Sequence, residues 1–316
     1  MSSEEHEQSG PKGSPGPQSG GAQGETALQA LAGRERERRS EFRRAWNRFK
    51  RYRPAFVGLI FISVLFVVAL IPGVLAPYSP TEFPTTRGES PSLEHPFGAD
   101  EIGRDLLSRM IYGTRVAFIV AITATLISVA IGVAIGATAG YFGGWIDSLL
   151  SRIIDSFMAI PLLVLLIALS TVLGAGLSTT VIAIGIVIWA QYARVIRGDV
   201  LSLRERDYVL AARTIGARTP RIIIRHMLPN VLAPVIVIAT LSVGSVIILE
   251  AALSFLGLGI QPPHPSWGGI LSEGRAHMRN FPHISIIPGI AITLTVLAFN
   301  LVGDGLRDAL DPHQRE

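Results

Sequence analysis

The 316-residue sequence contains no cysteine. Disulfide frameworks, thiolate metal sites, iron–sulfur clusters and a cysteine nucleophile are all excluded by that absence. Lysine is nearly as scarce. Lys12 and Lys50 are the only two, and the rest of the positive charge is arginine. A P-loop needs a lysine directly after its last glycine. Lys12 follows Pro11 and Lys50 follows Phe49, so the chain cannot be a P-loop ATPase itself. Charge of both signs is thin. Charged residues make up 16% and hydrophobic residues 49%, whereas soluble domains carry roughly 25% charged residues. No Ser/His/Asp constellation stands out, and no His-x-x-x-His spacing suggests a metal. No catalytic residue, metal or bound cofactor is expected.

What charge there is leaves long gaps. None falls in residues 54–81, 116–146, 156–193 or 280–303, and Glu250 is the only Asp, Glu, Lys or Arg between residues 226 and 272. A bilayer core is about 30 Å thick and takes about 20 apolar residues as helix. The 156–193 run would be about 57 Å long as one helix, too long for one crossing. Gly174-Ala175-Gly176 followed by Ser178-Thr179-Thr180 reads as a turn that divides it. The expectation is an all-α membrane protein with six spans, at about 55–77, 115–140, 154–173, 178–195, 231–257 and 284–304.

Arginine placement orients the spans. Lys and Arg crowd residues 34–53, and eight Arg against three acids lie in 194–230, whereas 78–114 carries three Arg against six acids. Both termini and the 196–230 loop are therefore expected in the cytoplasm, in a multi-pass membrane protein. The first 30 residues lack the apolar stretch of a cleavable signal, and 1–33 reads as a disordered tail. In 34–53, Phe42, Trp46 and Phe49 share one helical face among arginines. This suits a basic amphipathic segment on an anionic bilayer. The same arginines act as a topology signal, so no nucleic-acid partner is expected.

The 194–230 loop is the most informative stretch. Asp207 can cap a short helix through Ala212 and Arg213. Gly216 permits a sharp turn, Thr219-Pro220 restarts a helix, and Pro229 closes the loop as the chain re-enters the membrane. Ala211 and Ala212 let another surface approach closely. The product is a helix–Gly–helix elbow.

Ala211-Ala212, three residues, Gly216, and then Leu228-Pro229 resemble the "EAA" loop of ABC importer permeases, with Leu210 in place of the glutamate. The resemblance implies that Tyr208–Ala217 docks on a partner ATPase. Asp207, Tyr208, Ala211, Ala212, Arg213, Gly216 and Ala217 would couple, and Pro220, His226, Pro229 and Asn230 would shape the loop. The stretch from His95 through Gly98, Asp100, Gly103, Arg104 and Asp105 to Arg109 is similar to the outer-loop signature of the C-type permease of dipeptide, oligopeptide and nickel importers. So are Tyr112–Arg115, Glu250–Gly259, Pro262-Pro263, Pro265–Gly268 and Gly303–Pro312. The resemblance implies a type I ABC importer transmembrane domain over 54–316, with a B-type sister permease, two ABC ATPases that bind ATP and Mg, and an extracytoplasmic binding protein. It implies a non-catalytic peptide-importer subunit in the cytoplasmic membrane of a prokaryotic cell. Nickel or another small solute is the alternative cargo. A secondary transporter would want inverted repeats and several midspan charges, and neither is visible.

Some residues carry two readings. Glu250 and Ser254 are candidates for the path or outer gate, or for a hydrogen-bonded turn at 253–259. Arg152 and Asp155 are spaced for a local ion pair. Gly132, Gly136 and Gly140 permit close packing, within the chain or against the sister permease. His95, His264, His277 and His283 are expected outside as structural or loop histidines.

Overall fold

The computed structural model describes residues 46–310. The 1–33 tail and most of the 34–53 segment lie outside the described residues. Residues 49–310 form one compact unit. Its helices are α1 (Arg53–Leu70), α2 (Pro72–Leu75), α3 (Leu106–Phe142), α4 (Gly144–Ala159), α5 (Leu162–Leu173), α6 (Leu177–Arg204), α7 (Asp207–Thr214), α8 (Thr219–Ile222), α9 (Leu228–Phe255), α10 (Trp267–Arg275) and α11 (His283–Leu310). A π turn, Ile223–Met227, joins α8 to α9. Among the described residues, five stretches are long and apolar enough to cross a membrane, and α4 with α5 makes a sixth if the bent pair is one span.

The helices depart from the expected spans where backbone chemistry overrides hydropathy. α1 stops at Leu70 because Pro72 has no N–H to continue the ladder. α3 begins at Leu106, well before residue 115, because the Asp105 carboxylate caps it. α6 runs on to Arg204, so the first part of the 196–230 loop is helix. The 154–173 span is broken. α4 and α5 meet at 90° across Ile160 and Pro161. Ile160 is extended at φ −86°, ψ 131°, as the residue before a proline prefers.

α3 and α6 form the most extensive joint. A methyl group added at Gly132 would lie 2.5 Å from Tyr192 Cβ, at Gly136 2.5 Å from the Ala193 carbonyl, and at Gly140 2.8 Å from the Arg197 carbonyl. The glycine ladder therefore serves packing within the chain, where close backbone approach maximises dispersion contacts. Ile154 of α4 packs on Trp189, Ala190 and Ala193 of α6. The expected Arg152–Asp155 pair does not form. Asp155 instead accepts from Arg194 of α6 at 2.5 Å, because packing on α6 brings Arg194 to the Asp155 side of α4.

Candidate functional site

Two constructions gather the residues singled out in the sequence. The first is the elbow after α6. Arg206 is the N-cap of α7, and Asp207 is the first helical residue, with no side-chain cap bond. Asp207 thus acts through the positive helix end rather than as a cap. α7 ends in a Schellman motif: Gly216 N–H donates to the Arg213 carbonyl at 2.9 Å and Ala217 N–H to the Ala212 carbonyl at 3.0 Å. Gly216 has φ +78°, the left-handed conformation that favours glycine. Pro220 sits in the first turn of α8 and Pro229 in that of α9. The Asn230 amide donates to the His226 carbonyl at 2.7 Å, across the join of π turn and helix.

Burial sorts the residues of α7. Val209 and Ala212 are buried and seat the helix. Tyr208, Ala211 and Ile215, at i, i+3 and i+7, form an exposed ridge, and Ile215 is 84% exposed. Ala212 therefore faces the protein, and the ridge contains Ile215, which loop spacing alone did not single out. A helical wheel started at Tyr208 is the signal that finds it. The Arg213 guanidinium lies 4.9 Å from the centre of the Tyr141 ring and anchors the elbow to the end of α3. Arg206, Arg218, Arg221 and Arg225 are exposed around it.

The second construction caps the opposite end of α3. Asp105 Oδ2 accepts from the Ser108 N–H and hydroxyl, each at 2.7 Å, and Oδ1 lies 2.9 Å from His95 Nδ1. His95 is buried, which makes it structural. Asp100 is fully buried. Its Oδ1 accepts from the Ile102 and Arg104 N–H groups, and its Oδ2 from Arg104 Nε and Arg109 Nη1. Gly98 and Gly103 make the turns around it at positive φ. Arg109 then reaches Glu273 of α10 through two bonds, of 2.6 and 3.1 Å, and Arg104 reaches it at 3.2 Å. Asp100, Glu101 and Glu273 lie close enough to share a cation, but the two guanidinium groups already occupy the space between them. Trp267 Nε1–H donates to the Met110 carbonyl at 3.2 Å, and His283 Nε2 lies 3.1 Å from the Ala99 carbonyl. The loop, α3, α10 and α11 are thus tied into one cap.

Glu250 and Ser254 sit below this cap. Glu250 is 1% exposed, and the Ser254 hydroxyl donates to it at 2.7 Å while accepting from Ile260 N–H at 3.1 Å. A second Schellman motif closes the turn at Gly257. Ser254, Ser266, Ser272, Arg109 and Glu273 line a cavity of about 150 Å³ between this turn and the cap.

Comparison with known proteins settles the family. Residues 132–316 match the binding-protein-dependent transport system inner membrane component, and residues 40–93 match the N-terminal TM domain of oligopeptide transport permease C. The chain belongs to this permease family. The glutathione transport system permease protein GsiD of Shigella flexneri serotype 5b is 44% identical over 276 residues, 87% of this chain and 91% of the relative. Its counterpart in Escherichia coli O157:H7 is 43% identical over the same coverage. The MetNI methionine ABC transporter, solved in inward-facing conformations, shares the fold at 17% identity. The TM-score is 0.54, over 65% of this chain and 98% of that one. The permease is thus a multi-pass inner membrane component of a binding-protein-dependent ABC importer, not the subunit that hydrolyses ATP.

Within the permease cap, Glu273 is the residue that sequence reading missed. It lies 164 residues from Arg109, and no local spacing announces such a contact. Glu101 and Arg109 each carry a buried polar atom without a partner in the cap, and Glu101 is the one that titrates toward neutral. Burial pushes its carboxyl above the ordinary carboxylate range. The nearby Glu273 and Asp100 charges act the same way, its own backbone N–H and Arg109 oppose them, and Oε2 is buried without a partner. A raised folded-state pKa favours folding below the unfolded value, and that contribution is lost as pH rises through the folded value. Glu101→Gln is therefore expected to raise the melting temperature of the purified permease at neutral pH by about 1–3 °C. The gain should vanish below about pH 4, where the unfolded glutamate is itself protonated. Thermal scans at the two pH values check this.

Proposed function

We propose that the permease forms half of the translocation path of an ATP-driven importer for di- and oligopeptides, glutathione-sized peptides among them. The observation that carries this reading is the elbow. It is a short helix closed by a Schellman motif, seated by Val209 and Ala212, with the Tyr208–Ala211–Ile215 ridge turned outward among arginines. A preorganised apolar ridge with a cationic surround suits insertion into a groove on a soluble partner. The partner is an ABC ATPase, one of two that bind ATP and Mg. A B-type sister permease completes the path, and a binding protein docks on outer loops 78–114 and 260–283. The arginine-rich elbow and both termini lie in the cytoplasm. The likeness to glutathione permeases supports a peptide over nickel. ATP-driven closure of the ATPases moves the elbow as a rigid body and switches the path between inward- and outward-facing states.

Purification of the tagged permease in mild detergent, with mass spectrometry of what accompanies it, tests the assembly. A second six-span permease and P-loop ATPases are expected, and the reconstituted complex should take up labelled small peptides rather than labelled nickel. Recovery of the chain alone, under conditions that preserve a control ABC complex, would overturn the reading.

A further inference from the structure

The link between α9 and α11 carries two exposed arginines. Residues 261–282 hold one acid, Glu273, and Arg104 and Arg109 already bond it. Arg275 and Arg279 are exposed, and neither has an ion pair among the described residues. The fold fixes where Arg275 stands. The Ser272 hydroxyl donates to the Phe255 carbonyl at 2.9 Å and ties α10 to the end of α9. Less than one turn further along α10, the Arg275 guanidinium lies 5.6 Å from the centre of the Phe255 ring.

Phe255 also lines an apolar groove of about 430 Å³. Leu163 of α5, Ile248 and Ala252 of α9, Leu271 of α10 and Ile292 of α11 line it too, and every lining residue is apolar. Leu163, Ile248 and Leu256 are exposed along it. Water needs two to four polar partners to stay in such a space, and the lining side chains offer none. The position of the groove follows from its helices. α9 and α11 are each long and apolar enough to cross a membrane. The groove takes in the last two turns of α9, and on α11 it reaches Ile292, the ninth residue after His283, about 14 Å along the helix. It therefore starts where two spans end and runs inward over about half of a 30 Å hydrocarbon core. Arg275, in the link between those spans, stands at the boundary with the headgroups, where a long cationic side chain keeps its charge in water and its stem on apolar surface.

We infer that the groove is a binding site for an anionic phospholipid, with an acyl chain in the groove and the phosphate on Arg275. Arg279 adds to the positive charge that draws the headgroup. An apolar helix of another chain would cover the lining but leave Arg275 without a counter-charge. An anionic lipid supplies the alkyl chain and the counter-charge together. The inference goes beyond the importer reading. It needs a permease in a bilayer and is indifferent to the solute carried.

Photo-cross-linking in vesicles tests the site. The full-length permease, with the subunits that accompany it, is placed in phosphatidylcholine vesicles. These are doped with either phosphatidylglycerol or phosphatidylcholine that carries the same photoactivatable acyl chain, and cross-links are mapped by mass spectrometry. At residues 248–256 and 289–292, phosphatidylglycerol is expected to cross-link several-fold more than phosphatidylcholine. On the exposed apolar face of α1, at Val57 and Val64, the two lipids should cross-link about equally. Arg275→Gln should bring the groove's ratio down to that of α1, and Arg275→Lys should retain most of the preference. Because Arg275 is exposed, both variants should keep the parent's melting temperature. Equal cross-linking of the two lipids in the groove, or a preference that survives Arg275→Gln, would overturn the site. So would an absence of lipid cross-links in the groove alongside normal ones on α1, the result expected if another protein chain covers it. Peptide uptake is read separately: its absence in the parent importer would count against the importer reading and leave the lipid result standing.

Discussion

Replacing Gly216 with proline should abolish ATP-driven uptake while leaving the permease inserted and folded in the membrane. The residue sits at φ +78°, and proline is held near −65°. The substitution also removes the N–H that bonds the Arg213 carbonyl, and it disfavours the near-helical conformation of Ile215 before it. The Schellman closure of α7 is lost, and the Tyr208–Ala211–Ile215 ridge no longer has a fixed orientation. The effect is conformational rather than steric, because nothing lies within 4 Å of where a side chain would begin. Gly216→Ala should therefore cost only about 1–2 kcal/mol of local stability and leave much of the uptake. Uptake in vesicles, with membrane insertion checked by fractionation, reads both variants. Normal transport by Gly216→Pro would sink the proposed coupling role of the elbow.

The largest stability loss is expected at the cap over the Asp105 end of α3. Arg109 is 3% exposed and bonds Asp100, which has no exposed surface, and Glu273. Removing one member of a buried ion network leaves its partners uncompensated, at about 3–5 kcal/mol. Arg109→Ala should therefore lower the melting temperature of the purified permease by roughly 6–10 °C. Glu273→Gln keeps hydrogen-bonding capacity and should cost only about 1–2 kcal/mol. Because Arg104 also reaches Glu273, the two losses should be less than additive in the double variant. Equal, small losses in all three would show that the cap is held by Trp267 and His283 instead. Fluorescence-based thermal scans in detergent are sufficient.

Much of this was legible in the sequence because it depends on solvent rather than on neighbours. Long charge-free runs announce membrane spans, since hydrocarbon does not solvate charge. Asp100, Asp105 and His95 stand close along the chain to the atoms they bond, so their local spacing is visible in the sequence. Gly216 was legible because a left-handed turn after a helix has few other residues to choose from. The capping role expected of Asp207 failed by one position. The N-cap is set by where α6 releases the chain, at Glu205 and Arg206, and sequence boundaries are uncertain by that much.

The amino-acid sequence alone determined an all-α membrane protein with a basic elbow, because composition and local turn chemistry act over a few residues, and its motifs carried the resemblance to importer permeases. Tertiary structure decided which elements meet. It paired Asp155 with Arg194 instead of Arg152, tied Arg109 to Glu273, turned Ala212 inward and Ile215 outward, and assigned the glycine ladder to the contact with α6. It also broke the third span at Ile160 and Pro161, where hydropathy is blind to a missing N–H. The pairings of Asp155 with Arg194 and of Arg109 with Glu273 depend on distances between residues far apart in the chain. Such distances are set by packing, which no local pattern records.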